Sequence, residues 1–193
     1  MLQTVEIRWF FPELPLIEDR HFETQDELQQ RIDWYLMPCN PKCGTKIREG
    51  MLQTKLKIAE IGHRSFGSLT GTVEAYKKWS LKFDQAEPPS ISEMQAVSWL
   101  PVSKRRKLQR FEVRGGQVTT SPVRPQNGCE FEMTELIVNN ATYWTVGFEA
   151  VGDPNALEAN VRAVAAEVVR RGGLLMDFTS DRSCGYAQWL STL

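Results

Sequence analysis

Four short segments of the chain place two charges of one sign two residues apart. Lys46 and Arg48, Lys55 and Lys57, and Lys104 and Arg106 are cationic pairs, and Glu130 and Glu132 form an acidic one. On a β-strand successive side chains point to opposite faces, so residues i and i+2 share a face. Two like charges on one face require counter-charge from neighbouring strands or from a ligand. Cations in this arrangement bind phosphoryl oxygens through charge-assisted hydrogen bonds. Carboxylates beside them suit Mg²⁺ or Mn²⁺, hard ions that prefer oxygen ligands and bridge polyphosphate chains. The chemistry such a pattern supports is phosphoanhydride cleavage or transfer, with the ion polarising a phosphoryl group or orienting water. It requires that the charged faces turn into a shared interior; faces turned outward are merely solvated.

The elements that must position these residues are mostly strands. Val5, Ile7 and Trp9 alternate with Glu6, Arg8 and Phe10 up to Pro12, and Ile32, Trp34 and Leu36 alternate with Asp33 and Tyr35. Thr45–Arg48 and Leu52–Ile58 read as a hairpin across Glu49-Gly50-Met51. A Gly- and Ser-rich loop is expected over 62–71, followed by a strand in VEAYKKWSLKF. Further strands are SKRRKLQRFEV, QVTTSPV, CEFEMTELIV and YWTVGFEAVG, separated at Gly115-Gly116, Asn127-Gly128 and Asn139-Asn140. Three pieces depart from this period. QDELQQRI reads as a short helix capped by Thr24 with Glu27 three residues on. A turn-rich connector around Pro88 and Pro89 leads to a short element in SEMQAVSWLP. Leu157, Val161, Val164 and Val168 recur at helical spacing, predicting an amphipathic helix over about 155–171 that Gly172-Gly173 ends. A last short helix, about 184–191, presents Tyr186, Trp189 and Leu190 to the body. The order, about eight strands closed by one long helix, predicts an α+β, mainly antiparallel β fold: a closed or strongly curled tunnel or barrel with peripheral helices, in one domain spanning 1–193.

Composition agrees with a single folded domain. The chain has 193 residues, 41 % of them hydrophobic, and 23 Lys plus Arg against 24 Asp plus Glu, a net charge of -1. Nothing global draws it to nucleic acid or to an anionic membrane, although 102–114 is locally basic. MLQTVEIRWFF carries charge within its apolar stretch and does not read as a secretory leader, and no apolar run reaches the length of a membrane span. Cys39, Cys43, Cys129 and Cys184 fit no compact disulfide framework and read as free thiols of a cytoplasmic protein, and Cys39, Cys43 and His63 make a poor zinc set. His21 and His63 lie in polar, turn-like contexts and are expected at the surface. No Walker, Rossmann or G-x-S-x-G pattern is present.

The succession of motifs resembles the CYTH superfamily, the triphosphate tunnel metalloenzymes that include inorganic triphosphatases, thiamine-triphosphatases and class IV adenylyl cyclases. TVEIR stands where that family has E-x-E-x-K, placing Thr4, Glu6 and Arg8 at its three charged positions. RIDWYL supplies Asp33 and Tyr35, KIR supplies Lys46 and Arg48, KLK supplies Lys55 and Lys57, and VEAYKKW supplies Glu74 and Lys78. SKRRK offers Lys104 and Arg106, CEFEMTEL offers Glu130 and Glu132, VGFEAVG offers Glu149, and SCGYAQWL is the closing segment. The resemblance spans nearly the whole chain and rests on the order of short motifs. It implies a tunnel in which Arg8, Lys46, Arg48, Lys55, Lys57, Lys78, Lys104 and Arg106 bind a triphosphate chain. Glu6, Glu130, Glu132 and Glu149 remain to hold Mg²⁺ or Mn²⁺. The departures, Thr4 and Gly147 in place of carboxylates, fall on the metal side, and Arg8 replaces a phosphate-binding lysine.

Two functions follow. One is a divalent-metal-dependent phosphohydrolase acting on inorganic or organic triphosphate, with Lys55 and Glu132 as the catalytic residues whose substitution abolishes phosphate release. The other is a non-catalytic binding protein for a phosphorylated or polyanionic ligand in the same tunnel. In either case the expected partner is a small phosphorylated molecule rather than nucleic acid or membrane, and the sequence leaves a homodimer open.

Overall fold

A computed structural model describes residues 2–22, 29–82, 92 and 98–193. The strands are β1 (Leu2–Phe11), β2 (Gln29–Leu36), β3 (Cys43–Arg48), β4 (Met51–Phe66), β5 (Leu69–Lys82), β6 (Trp99–Arg114), β7 (Gln117–Ser121), β8 (Gly128–Val138) and β9 (Ala141–Val151). Helices α1 (Leu157–Arg171) and α2 (Tyr186–Leu190) follow. Strand order is β2-β3-β4-β5-β1-β9-β8-β6-β7, and β2 also pairs with β6. That last pairing closes eight antiparallel strands into a barrel and leaves β7 as an extra strand on the outside of β6. Closure leaves no exposed edge among the eight.

Turn chemistry sets the register. Glu49 and Gly50 both have positive φ between β3 and β4, as do Asn139 and Asn140 between β8 and β9, the conformation a two-residue hairpin of matching twist demands. The expected Gly- and Ser-rich loop over 62–71 is not a loop: β4 and β5 run on to Phe66 and Leu69, and only Gly67-Ser68 turns. Gly62, at φ 116°, instead falls at a register shift between β4 and β5. Phe66 and Leu69 at the hairpin tip are buried, and this burial holds the extended arms in place. The expected helix QDELQQRI is also corrected. Gln29–Ile32 belong to β2, where Gln29 opposes Arg106 and Ile32 opposes Ser103; ladder pairing that closes the barrel overrides local helix preference. Its cap, Thr24 with Glu27, lies outside the described residues, as do the Pro88-Pro89 connector and most of SEMQAVSWLP, whose Trp99–Pro101 begin β6.

The main apolar core lies outside the barrel. Val5, Ile7, Trp9 and Phe11 of β1, Phe131 and Met133 of β8, and Val146 and Phe148 of β9 cluster with the apolar stripe of α1. Leu157, Val161, Val164 and Val168 of that stripe are fully buried, each worth roughly 1.5–3 kcal/mol of burial. The inward positions of the same strands are Thr4, Glu6 and Arg8, then Glu130 and Glu132, then Thr145 and Glu149. A second cluster fills one end of the lumen: inward-facing Phe10, Tyr35, Val102, Leu136 and Val138 pack against Trp189 and Leu190 of α2. Phe10 stacks on Trp189 with ring centroids 4.6 Å apart. The lumen is therefore stoppered at this end by apolar side chains.

No helix among the described residues is long and apolar enough to cross a membrane, and all four cysteines are free. His63 is exposed, as expected. His21 is not: it is 1 % exposed, its ring edge-on to Phe131 and its Nε2 hydrogen-bonded to the Gly172 carbonyl at the end of α1. Polar neighbours in the sequence hid a residue that the fold tucks beneath the helix terminus.

Burial lowers the His21 pKa, and the Gly172 carbonyl offsets this only in part; among the described residues Nδ1 has no hydrogen-bond partner. The neutral ring is therefore favoured in the folded state. Its stabilisation is complete above the unfolded value, about pH 6.5, and is lost as pH falls below it. Thermal melts of the wild type and His21→Gln between pH 7.5 and 5 should show the wild type losing more Tm on acidification. Parallel pH dependences would rule this out.

Candidate functional site

The lumen holds a cavity of about 310 Å³, at the lower end of the roughly 300–1,000 Å³ typical of small-molecule sites. Ten cationic side chains line it against four glutamates, in a chain whose net charge is -1. Arg8, Lys46, Arg48, Lys55, Lys78, Lys104, Arg106, Glu6, Glu130, Glu132 and Glu149, all candidates from the sequence, are among the lining residues. Lys57 is not: its Nζ turns to Glu74 at 2.6 Å, and Glu74 also accepts from the Tyr76 hydroxyl at 2.6 Å. Arg31, Arg110, Arg124, Tyr76 and Tyr186 complete the site. Three of these carried a readable signal, since Arg31 shares parity with Asp33 and Tyr35, Arg110 with Lys104 and Arg106, and Tyr76 with Glu74 and Lys78. Arg124 and Tyr186 lie outside the barrel strands and no alternation could place them.

The deepest part of the wall is organised around Asp33. Its carboxylate is fully buried and accepts Lys46 Nζ at 2.8 Å, Arg48 Nε and Nη2 at 2.7 Å each and Lys104 Nζ at 3.1 Å, with Arg31 Nε at 3.5 Å. Register explains the convergence: Lys46 opposes Tyr35 on β3, and Lys104 opposes Arg31 on β6. Burial alone would raise the Asp33 pKa, but Lys104, the Arg48 hydrogen bonds and Lys46 outweigh it and hold the acid well below the usual carboxylate range. One carboxylate cannot neutralise four cations. Lys104 shows the consequence: burial, aided by Arg48 and Arg31 and opposed by Asp33, pushes its pKa down to about 7. Burial and Lys104 likewise push Lys46 well down. The Lys104 ammonium also stands 3.9 Å from the centroid of Tyr186 and 5.1 Å from that of Tyr35, rings that favour a cation over their faces.

The opposite wall carries the acids. Glu74, Glu6, Glu149 and Glu130 oppose one another directly across β5, β1, β9 and β8. Like charges in directly opposed positions destabilise a sheet unless something positive stands between them. Lys55 of β4 does so, at 2.5 Å from Glu6 and 3.6 Å from Glu149. Burial is the largest influence on Lys55 and opposes its charge; Glu149 and Glu6 overcome it and raise the pKa. Glu130, 3.3 Å from Arg110, is raised by burial and by Glu149. Solvent reaches the cavity on this side, where Lys55 and Glu149 are 29 % and 24 % exposed.

Between the walls lies Arg8, which reaches over β9 to Glu132 on β8 at 2.7 Å, with Arg106 on the other carboxylate oxygen at 3.1 Å. The strand it crosses offers Gly147, opposite both Arg8 and Glu132. A Cβ there would lie 2.9 Å from the guanidinium carbon. Gly147 thus makes room for Arg8, and two departures from the family pattern are one structural unit. Burial would raise Glu132, but Arg8 and Arg106 bring it well below the carboxylate range.

As arranged, these carboxylates do not fit Mg²⁺ or Mn²⁺. Among the described residues no three acidic, His or Cys side chains converge as a metal set, and every glutamate lining the cavity already faces an ammonium or guanidinium.

Gly147→Ala should displace the guanidinium and destabilise the protein by about 2 kcal/mol, since it leaves a buried carboxylate short of a partner. In an Arg8→Met background the same change should cost far less, because nothing remains to collide with. Equal costs in both backgrounds, by urea denaturation, would refute the coupling.

Compared with protein-family models and with curated proteins, the sequence matches none. Among solved structures it is similar to the PH1819 protein from Pyrococcus horikoshii OT3, at 11 % identity and a TM-score of 0.38, over 88 % of this chain and 90 % of that one.

Proposed function

We propose that the barrel is a binding site for a small phosphorylated polyanion, of which a linear triphosphate or its organic ester is the best candidate. The observation that carries this reading is the excess of inward-facing cations over carboxylates in a stoppered lumen of ligand size. Such an excess is costly to bury unless an anion completes it. Arginine forks at Arg8, Arg48 and Arg106, and ammonium groups at Lys46 and Lys104, are the donors phosphoryl oxygens take. The resemblance to triphosphate tunnel metalloenzymes narrows the anion to a triphosphate. A lumen closed at one end favours a short molecule over a nucleic-acid strand.

A second reading, metal-dependent hydrolysis of the same triphosphate, draws on the row of four opposed glutamates, which invites positive charge. In that reading Lys55 and Glu132 are catalytic. The two are separated by titrating tripolyphosphate calorimetrically and assaying phosphate release with Mg²⁺ or Mn²⁺. Saturable binding without release supports the binder; release that Lys55→Ala and Glu132→Gln each abolish supports the enzyme; neither binding nor release removes both.

Binding should weaken as pH rises. Burial pushes the Lys104 pKa down to about 7, and a bound anion favours its charged form. Above that pH the ligand must draw a proton onto the lysine, so affinity should fall by up to about tenfold per pH unit between pH 7.5 and 9. Calorimetry in buffers of different ionisation enthalpy should show proton uptake at pH 8, and Lys104→Arg should flatten the profile. A pH-independent affinity in the wild type would contradict this account of the wall.

A further inference from the structure

Resting on the reading that the barrel takes a polyanion, we infer that it does so without a divalent ion, because the Lys55 ammonium and the Arg8 guanidinium are its built-in counter-cations. Glu6 and Glu149 are directly opposed carboxylates that share a cation, and Lys55 Nζ fills the seat between them at 2.5 and 3.6 Å. The ammonium also lies 4.6 Å from the centroid of Tyr76, whose hydroxyl is fixed by Glu74. It is held by two charges and an aromatic face together.

Arg8 performs the same service one step further in. Its guanidinium lies on Gly147, 4.8 Å from the centroid of Tyr186, and satisfies Glu132 at 2.7 Å. The neighbouring inward positions, Gly147 two residues before Glu149 and Thr4 two residues before Glu6, bring no carboxylate. Among the described residues the buried Thr4 hydroxyl has no hydrogen-bond partner, and Gly147 has no space for a side chain while Arg8 remains. The carboxylates of this wall therefore face tethered cations, Lys55 at Glu6 and Glu149 and Arg8 at Glu132. A divalent ion entering between Glu6 and Glu149 would have to evict Lys55 and leave an ammonium unpaired against the wall.

Two measurements test this on the intact chain. Tripolyphosphate titrated in EDTA should bind at least as tightly as in Mg²⁺, which competes by complexing the ligand. An affinity that rises about tenfold or more on adding Mg²⁺ overturns the inference. Mn²⁺ followed by electron paramagnetic resonance should stay free with equimolar wild type and become bound by Lys55→Met, in which the seat between Glu6 and Glu149 is vacated. One equivalent bound by the wild type overturns the inference, as does a folded Lys55→Met that leaves Mn²⁺ free. Circular dichroism establishes folding, and Lys55→Gln serves if the methionine variant does not fold. Absence of tripolyphosphate binding in both buffers removes the ligand reading alone, since the Mn²⁺ results still decide whether Lys55 holds the cation seat.

Discussion

A single buried carboxylate, Asp33, holding four cations from three strands is the interaction on which the rest of the barrel depends. A fully buried charge is tolerable only when paired and hydrogen-bonded, and Asp33 receives donors from β3 and β6 as well as from its own strand. Those strands include the two that meet β2 on either side, β2–β6 being the pairing that closes the ring. The hub therefore bridges the seam of the barrel, and whatever fixes Asp33 fixes the closure.

Closure around charge forces the apolar core elsewhere. In an ordinary small barrel the inward residues are the core; here β1, β8 and β9 send their apolar faces outward, and α1 must cover them. The long helix is thus a consequence of the polar lumen rather than an ornament. Strand β1 records both demands: its outward set, Val5, Ile7, Trp9 and Phe11, packs beneath α1, while its inward set runs from Thr4 through Glu6 and Arg8 to Phe10 in the stopper. Few strands of ten residues are buried on both faces with such different chemistry. The price is a lumen that must be neutralised internally, and the two walls do so unequally. The acidic wall is balanced by Lys55, Arg8 and Arg110; the Asp33 wall keeps its excess.

This division explains what the sequence made legible. Same-sign pairs at i and i+2 located most of the lining residues, because the parity of a strand is fixed by its backbone and survives any detail of packing. Parity failed where the chain is not regular. Lys57 precedes a register shift and pairs with Glu74, and it is not among the residues lining the cavity. Tyr186 arrives from a five-residue helix after the barrel is complete, and Arg124 from a loop. Gln29–Ile32 show the converse, a segment of helical appearance drawn into a strand by four ladder pairs with β6. His21 shows that polar sequence neighbours say little about burial when a helix terminus supplies the covering surface. The sequence singled out Thr4, Arg8 and Gly147, but not that Arg8 occupies the space beside Gly147. That required the register in which Arg8, Gly147 and Glu132 lie across three adjacent strands.

That linkage bears on what kind of recognition the lumen can perform. A divalent ion is exchangeable and brings open coordination positions; a guanidinium or ammonium is tethered and brings N–H donors in directions its strand dictates. Charge supplied by tethered cations depends on protons rather than on metal supply. The titratable part of that charge lies on the Asp33 wall, where Lys104 is poised near neutrality by burial and crowding. The acidic wall holds its cations firmly, because Glu6 and Glu149 raise the pKa of Lys55 and keep its ammonium charged. The barrel therefore holds two kinds of charge within one cavity: a fixed set of ion pairs on the acidic wall, and a softer cluster around Asp33 in which burial lowers the pKa of Lys104.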